Sequence, residues 1–286
     1  MFNTMLITEE DIKYMVSECI NRILSEHVDV IYQLDTAISL IDKQWESPDD
    51  FWYVYISQRK KDNLQNFHKN HNSDGSKNFG VNYIAYGVVS GKTKQEAIEC
   101  LKHIQMNING TYQSMISNSG RIVKTIDSPR ELSAVIYLCN KFNARCYMTI
   151  NKRSMNQTNS YADTLKKRGL ERGREFQFAA GQQKVNDDGV IKWSEVRPWG
   201  LIDCDIDNPQ AQAELESYLD KNNIKPEKKY ESHDGMHYLF SNRDAQKIDF
   251  SYFDRKYRPQ NAPRRKSDPM VLFKGDACML LYSVKY

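Results

Sequence analysis

The chain is predicted to fold as an α+β protein, with a mixed sheet in its last third, an additional α/β region before that and a helical appendage at its N-terminal side. Three observations carry this. Apolar residues at Ile12, Met15, Val16, Cys19, Ile20 and Ile23 recur at helical spacing. Strand-like and helical runs alternate between residues 51 and 151, an order that belongs to mixed α/β layers and not to an all-helical protein. From Trp199 onward a strand, a helix and a hairpin follow one another. The expected organisation is a helical region over residues 1–50, an α/β region over 51–190 and a final unit over 191–286. The 286 residues suffice for two modest domains or one larger domain with an appendage, and either buries a sizeable core.

Composition narrows the class. With 40% hydrophobic, 11% aromatic and 27% charged residues, the chain is neither disordered, fibrous nor a disulfide-stapled scaffold. Forty basic residues against 37 acidic ones leave a net charge of +3, which excludes a polycation that coats DNA indiscriminately, so nucleic-acid contact must be local. Six cysteines, at 19, 100, 139, 146, 204 and 278, form no CxxC pair and no zinc-type Cys and His spacing, as in a reduced compartment. No apolar run approaches 18 residues and no basic-then-apolar leader opens the chain, so a cytoplasmic protein without a membrane partner is expected.

The elements follow in order. Thr8 caps an acidic first turn and starts the amphipathic helix noted above, whose apolar stripe either covers the core of the main domain or docks a protein partner. Residues 27–41 are read as a second helix, ended by the loop at Ser47-Pro48-Asp49-Asp50. Residues 51–57 alternate aromatic and β-branched side chains as a strand, and the polar, basic stretch after Gln58 is a loop. A strand over 82–89, a turn at Gly91 and a helix over 94–106 come next, with Ala97, Ile98, Leu101 and Ile104 facing inward. A strand over 122–126, a helix from Pro129 to about Phe142 and a strand over 144–151 complete the α/β region. Residues 154–178 are expected to form a helix with a basic face built on Lys166, Lys167, Arg168, Arg172 and Arg174, either solvated or set against phosphates.

The densest chemistry lies further on. Trp199-Gly200-Leu201-Ile202-Asp203-Cys204-Asp205-Ile206-Asp207 starts apolar and then alternates, sending Ile202, Cys204 and Ile206 to one face and Asp203, Asp205 and Asp207 to the other. Carboxylates in a row repel and call for a compensating cation. Magnesium or manganese suits oxygen ligands and leaves coordination positions for phosphate. Asn208 and Pro209 then cap and open a helix, which stops near Asn222. A hairpin brings Ser232 and His237 to either side of a glycine-bearing turn, and strand, helix and hairpin together make half of an RRM-like sheet. On the last strand of that hairpin, alternation puts His237 and Leu239 opposite Met236, Tyr238 and Phe240.

Ile202-Asp203-Cys204-Asp205, followed by Ser232-His233-Asp234-Gly235-Met236-His237-Tyr238-Leu239-Phe240, resembles the archaeo-eukaryotic primase superfamily, especially the primase-polymerase domains of viruses and plasmids. The resemblance spans residues 199–286 and implies a phage or mobile-element source, with the host cytoplasm as its location. It implies a nucleotidyltransferase in which Asp203, Asp205 and a third acid hold two magnesium or manganese ions and His237 contacts nucleotide phosphates. Ser232 contributes a phosphate-binding or turn-stabilising hydroxyl, and the partners are nucleotides with DNA or RNA. Asp249, Asp268 and Asp276 compete as third acid. Asp276 is preferred because it follows the apolar strand 270–273 and precedes the last strand, 278–284, and Lys274 beside it is either a phosphate or template ligand or part of a solvated basic loop. Two rivals stand beside this reading. One is a metal-dependent nuclease or phosphoesterase using the same carboxylates on water, and the other is a catalytically silent binding or virion-associated protein.

Overall fold

The computed structural model describes residues 30–59, 81–117, 131–170, 173–182, 199–205, 209–232, 235–245, 247–249, 270–274 and 278–284. The expected first helix and the strand over 122–126 lie outside these residues. Among the described residues, no helix is long and apolar enough to cross a membrane.

The chain divides into two compact units, the first made of Met1–Asp42, Glu46–Met148 and Leu280–Tyr286, the second of Lys43–Trp45 and Thr149–Met279. This division departs from the expected boundaries at 50 and 190. The final strand belongs to a sheet made by earlier ones, because pairing follows complementary strand edges and not proximity in sequence.

In the first unit β1 (Val30–Tyr32) precedes α1 (Leu34–Gln44), and β2 (Asp50–Arg59), β3 (Val81–Ser90), α2 (Lys94–Lys102), β4 (Asn107–Ile108) and α3 (Gly110–Ser117) follow. Next come α4 (Ser133–Phe142) and β5 (Arg145–Thr149), and the closing strand is β11 (Cys278–Val284). The strands line up in the order β1-β11-β5-β2-β3-β4. Residues 27–41 are thus not one helix. Val30 and Ile31 favour a pleated edge, and β1 pairs antiparallel with β11 through Val30 opposite Val284 and Tyr32 opposite Tyr282. Trp52, Val54, Ile56, Val89, Cys146 and Met148 are fully buried on one face of this sheet. Burial pushes the Cys146 thiol well up, so it behaves as a small apolar side chain.

Local chemistry sets the helix ends. Thr93 Oγ1 accepts from the Glu96 amide at 3.1 Å while Glu96 Oε2 accepts from the Lys92 amide at 2.8 Å, a reciprocal cap that starts α2. Helix α4 starts at Ser133, after Leu132 turns left-handed at φ 57°.

The second unit holds β6 (Arg153–Ser154), α5 (Met155–Lys167), α6 (Glu175–Gln182), β7 (Trp199–Asp205), α7 (Pro209–Lys221), β8 (Lys228–Glu231), β9 (Gly235–Ser241), α8 (Asn242–Ala245) and β10 (Met270–Lys274). The single helix expected over 154–178 is two, since Gly169 and Gly173 adopt φ of 66° and 75° between α5 and α6. The pair packs through Tyr161, Leu165 and Ala179, leaving Lys166, Lys167 and Arg168 exposed.

The four-stranded sheet of this unit has the order β10-β7-β9-β8, with every neighbouring pair antiparallel. One face is covered: Ile202, Cys204, Tyr238 and Phe240 pack against Ala211, Leu215 and Leu219 of α7 and against Ile224, Ala245 and Ile248. Strand β7 is anchored at its start by buried Asn151, whose side-chain amide accepts from Trp199 N and donates to Trp199 O, both at 3.1 Å. Asn151 thereby stands in for a strand neighbour where the ladder begins.

Candidate active site on the four-stranded sheet

Because Ile202 and Cys204 are drawn into the apolar cluster under α7, the pleat turns Asp203 to the opposite face. Register then decides what meets it. Asp203 stands opposite His237 on β9, and His237 stands opposite Tyr230 on β8, so one row crosses three strands.

The side chains make that row continuous. His237 Nε2 lies 3.2 Å from Asp203 Oδ1 and His237 Nδ1 lies 3.0 Å from the Tyr230 hydroxyl. A neutral ring donates from Nε2 to the carboxylate and accepts the phenol proton at Nδ1, whereas an imidazolium donates to both oxygens. The Tyr230 and His237 rings also meet edge to face, with centroids 5.2 Å apart. His237 and Tyr230 are each 5% exposed, whereas the Asp203 side chain is 32% exposed. The row therefore runs from a buried phenol, through a buried imidazole, to a carboxylate that reaches solvent. Leu201 and Leu239, paired one rung along the same face, are buried and keep its base dry. In such surroundings a satisfied polar row is stiff and an unsatisfied member costly.

Ser232 is buried, and its amide donates to Gly235 O at 2.7 Å, closing the hairpin that delivers β9. Gly235 in turn stands opposite Asp205 at the strand tip. The Asp205 side chain and Asp207, Asp268 and Asp276 lie outside the described residues. Asp249 is described and sits on the other side of the sheet: its amide donates to the hydroxyl of Tyr218, on α7, at 2.8 Å, and its neighbour Ile248 belongs to the apolar cluster there. Lys274 pairs with Gly200, three residues back from Asp203, which is roughly 10 Å along the strand.

The structure thus brings together Asp203 and His237, the two side chains expected to meet, and adds Tyr230, which the motif did not mark. A signal for it exists. Counting back across a turn closed by Ser232 and Gly235 pairs position 237 with position 230. Among the described residues, no group of three or more His, Cys, Asp or Glu side chains is arranged to hold a metal ion. Asp203 holds its Oδ1 to His237 while its side chain stays 32% exposed, which suits a carboxylate that is both oriented and reachable by a ligand.

Comparisons with protein-family models, with curated proteins and with solved structures found no match.

Proposed function

We propose that this protein is a primase-polymerase-like nucleotidyltransferase, built on an RRM-like sheet and acting on nucleotides and a DNA or RNA strand with two divalent cations, magnesium or manganese. The observation that supports it most is the direct Asp203 to His237 contact on neighbouring strands, with a DxD strand tip beside a glycine-bearing hairpin. Asp203 and Asp205 are the metal carboxylates, with Asp276 as third acid. Bound there, the cations supply charge neutralisation for the phosphates and orientation for the transfer.

The chain's own residues do the rest. His237 takes Asp203 Oδ1 and so fixes the carboxylate rotamer, and with its other nitrogen on Tyr230 and the ring buried it acts on phosphates through Asp203 rather than by direct contact. Ser232 closes the turn that holds Gly235 opposite Asp205 at the strand tip. Lys274 pairs with Gly200, which shares the α7-covered face with Ile202 and Cys204, so the register lends no support to its expected phosphate or template contact beside Asp203.

Titrating Mn2+ calorimetrically into the parent and into the double variant Asp203→Asn with Asp205→Asn, alongside primer extension on DNA and RNA templates, tests the reading. The expected result is Mn2+ binding and extension by the parent and loss of both in the variant. A parent that neither binds Mn2+ nor extends a primer overturns the reading, and strand cleavage in place of extension replaces it with the nuclease alternative.

A further inference from the structure

The face of the first sheet opposite its Trp52 and Val54 core carries a cluster of tyrosines. Tyr53 and Tyr55 of β2, Tyr83 and Tyr86 of β3 and Tyr147 of β5 share it. Their rings touch as a continuous array: Tyr53 stacks on Tyr55 and on Tyr86 at centroid distances of 5.9 and 6.0 Å, and Tyr55 stacks on Tyr147 at 5.3 Å. Tyr83 meets Tyr55 at 5.7 Å. Tyr53 is buried at one end, Tyr55, Tyr86 and Tyr147 are half-buried, and Tyr83 is 52% exposed at the other.

A backbone irregularity creates the exposed end. The register runs Ile56 opposite Ala85 and then Ser57 opposite Tyr83, so Ile84 is an extra residue in β3. Without that bulge Tyr83 would take the opposite parity and point into the core. The bulge instead sends Ile84 inward, fully buried, and turns Tyr83 out onto the tyrosine face.

The charges on this face have one sign. Arg59 belongs to it and its Nη2 donates to the Tyr147 hydroxyl at 3.5 Å, whereas Arg145, opposite Ser57, is buried and is not offered to a ligand. The remaining paired residues of this face on β2, β3 and β5 are Phe51, Ser57, Val81, Val88 and Ser90, so these strands place no carboxylate there. Flat rings offer faces to bases regardless of sequence, and guanidinium groups offer charge to phosphates.

We propose that this tyrosine face binds single-stranded nucleic acid, with bases stacking on Tyr83, Tyr55 and Tyr86 and the phosphate backbone drawn by Arg59. The site is independent of the carboxylates on the other sheet. Its test is fluorescence anisotropy of the full chain, without divalent metal, against labelled 15-mers of deoxythymidine and of uridine, with a duplex of equal length as a third arm.

The expected result is binding to single strands that exceeds binding to duplex, weakened about tenfold by Tyr83→Ala and retained by Tyr83→Phe. Tyr83 is exposed, so its replacement leaves the fold intact, as a melting curve verifies. Arg59→Ala flattens the salt dependence of binding. The two oligonucleotides separate an RNA from a DNA preference. No binding of the parent to either strand, equal affinity for duplex, or unchanged affinity in Tyr83→Ala overturns the proposal, and concentration-dependent self-association abolished by Tyr83→Ala reassigns the face to protein contact.

Discussion

His237 is held at both ring nitrogens and is almost fully enclosed, so each of its partners carries a cost when removed. Tyr230→Phe keeps the ring and deletes only the hydroxyl, leaving Nδ1 without that partner in a dry setting. The expected destabilisation is about 1–3 kcal/mol by denaturant titration. If the row orients Asp203 for catalysis, the same variant lowers kcat more than it raises KM and displaces the pH profile of transfer. A packing role alone leaves that profile in place. Mutual repulsion among carboxylates predicts that Asp203 is removed at no cost in stability. Asp203 is, however, also the partner of a buried imidazole, so Asp203→Asn, which keeps an oxygen at that position, is the cleaner probe. Alternation made Asp203 and His237 legible as residues of one face. Tyr230 was not legible in the same way, because its role arises from register across the turn and not from any local pattern.

At the scale of elements, long periodic segments were read well and their interruptions were not. Residues 199–205, 209–221 and 235–241 sit as their periodicity predicts, whereas the bulge at Ile84 and the glycine break between α5 and α6 depend on tertiary fit. Gly91 shows how tightly one joint is made. A Cβ there would collide with the backbone of α2, coming within 2.7 Å of the Glu96 carbonyl carbon and closer still to the Ala97 amide. Backbone cannot step aside as a flexible side chain can, so Gly91→Ala is expected to destabilise the first unit by about 1–3 kcal/mol, read as a lowered Tm. A second joint is electrostatic. Glu216 of α7 accepts hydrogen bonds from Lys229 and from the Tyr238 hydroxyl, and these hold its carboxyl below the usual carboxylate range. A carboxyl whose folded value is depressed stabilises the fold above its unfolded value, about pH 4.3, and loses that contribution as pH falls. Glu216→Gln should therefore narrow the stability difference between pH 6 and pH 3 by a modest amount, since the group is partly solvated. Melting curves at the two pH values check it.

For the molecule as a whole, the first sheet is assembled from segments far apart in sequence. Strand β11 lies between β1 and β5, while residues 149–279 form nearly all of the second unit. The sequence showed residues 278–284 as a strand but held nothing to say whose neighbour it is, because an apolar run fits any edge. Deleting residues 278–284 is expected to expose the edge of β5, to leave β1 without its strand partner and to convert the protein into aggregate, detected as loss of the monomer peak in size-exclusion chromatography. A chain made on a ribosome meets the same gap in time. The place of β11 beside β5 stays empty while residues 149–279 are synthesised, on the order of ten seconds at about 5–20 residues per second, and the second unit can reach its own fold during that wait. Until β11 emerges, β5 keeps an unpaired edge and β1 has no strand of this sheet to join.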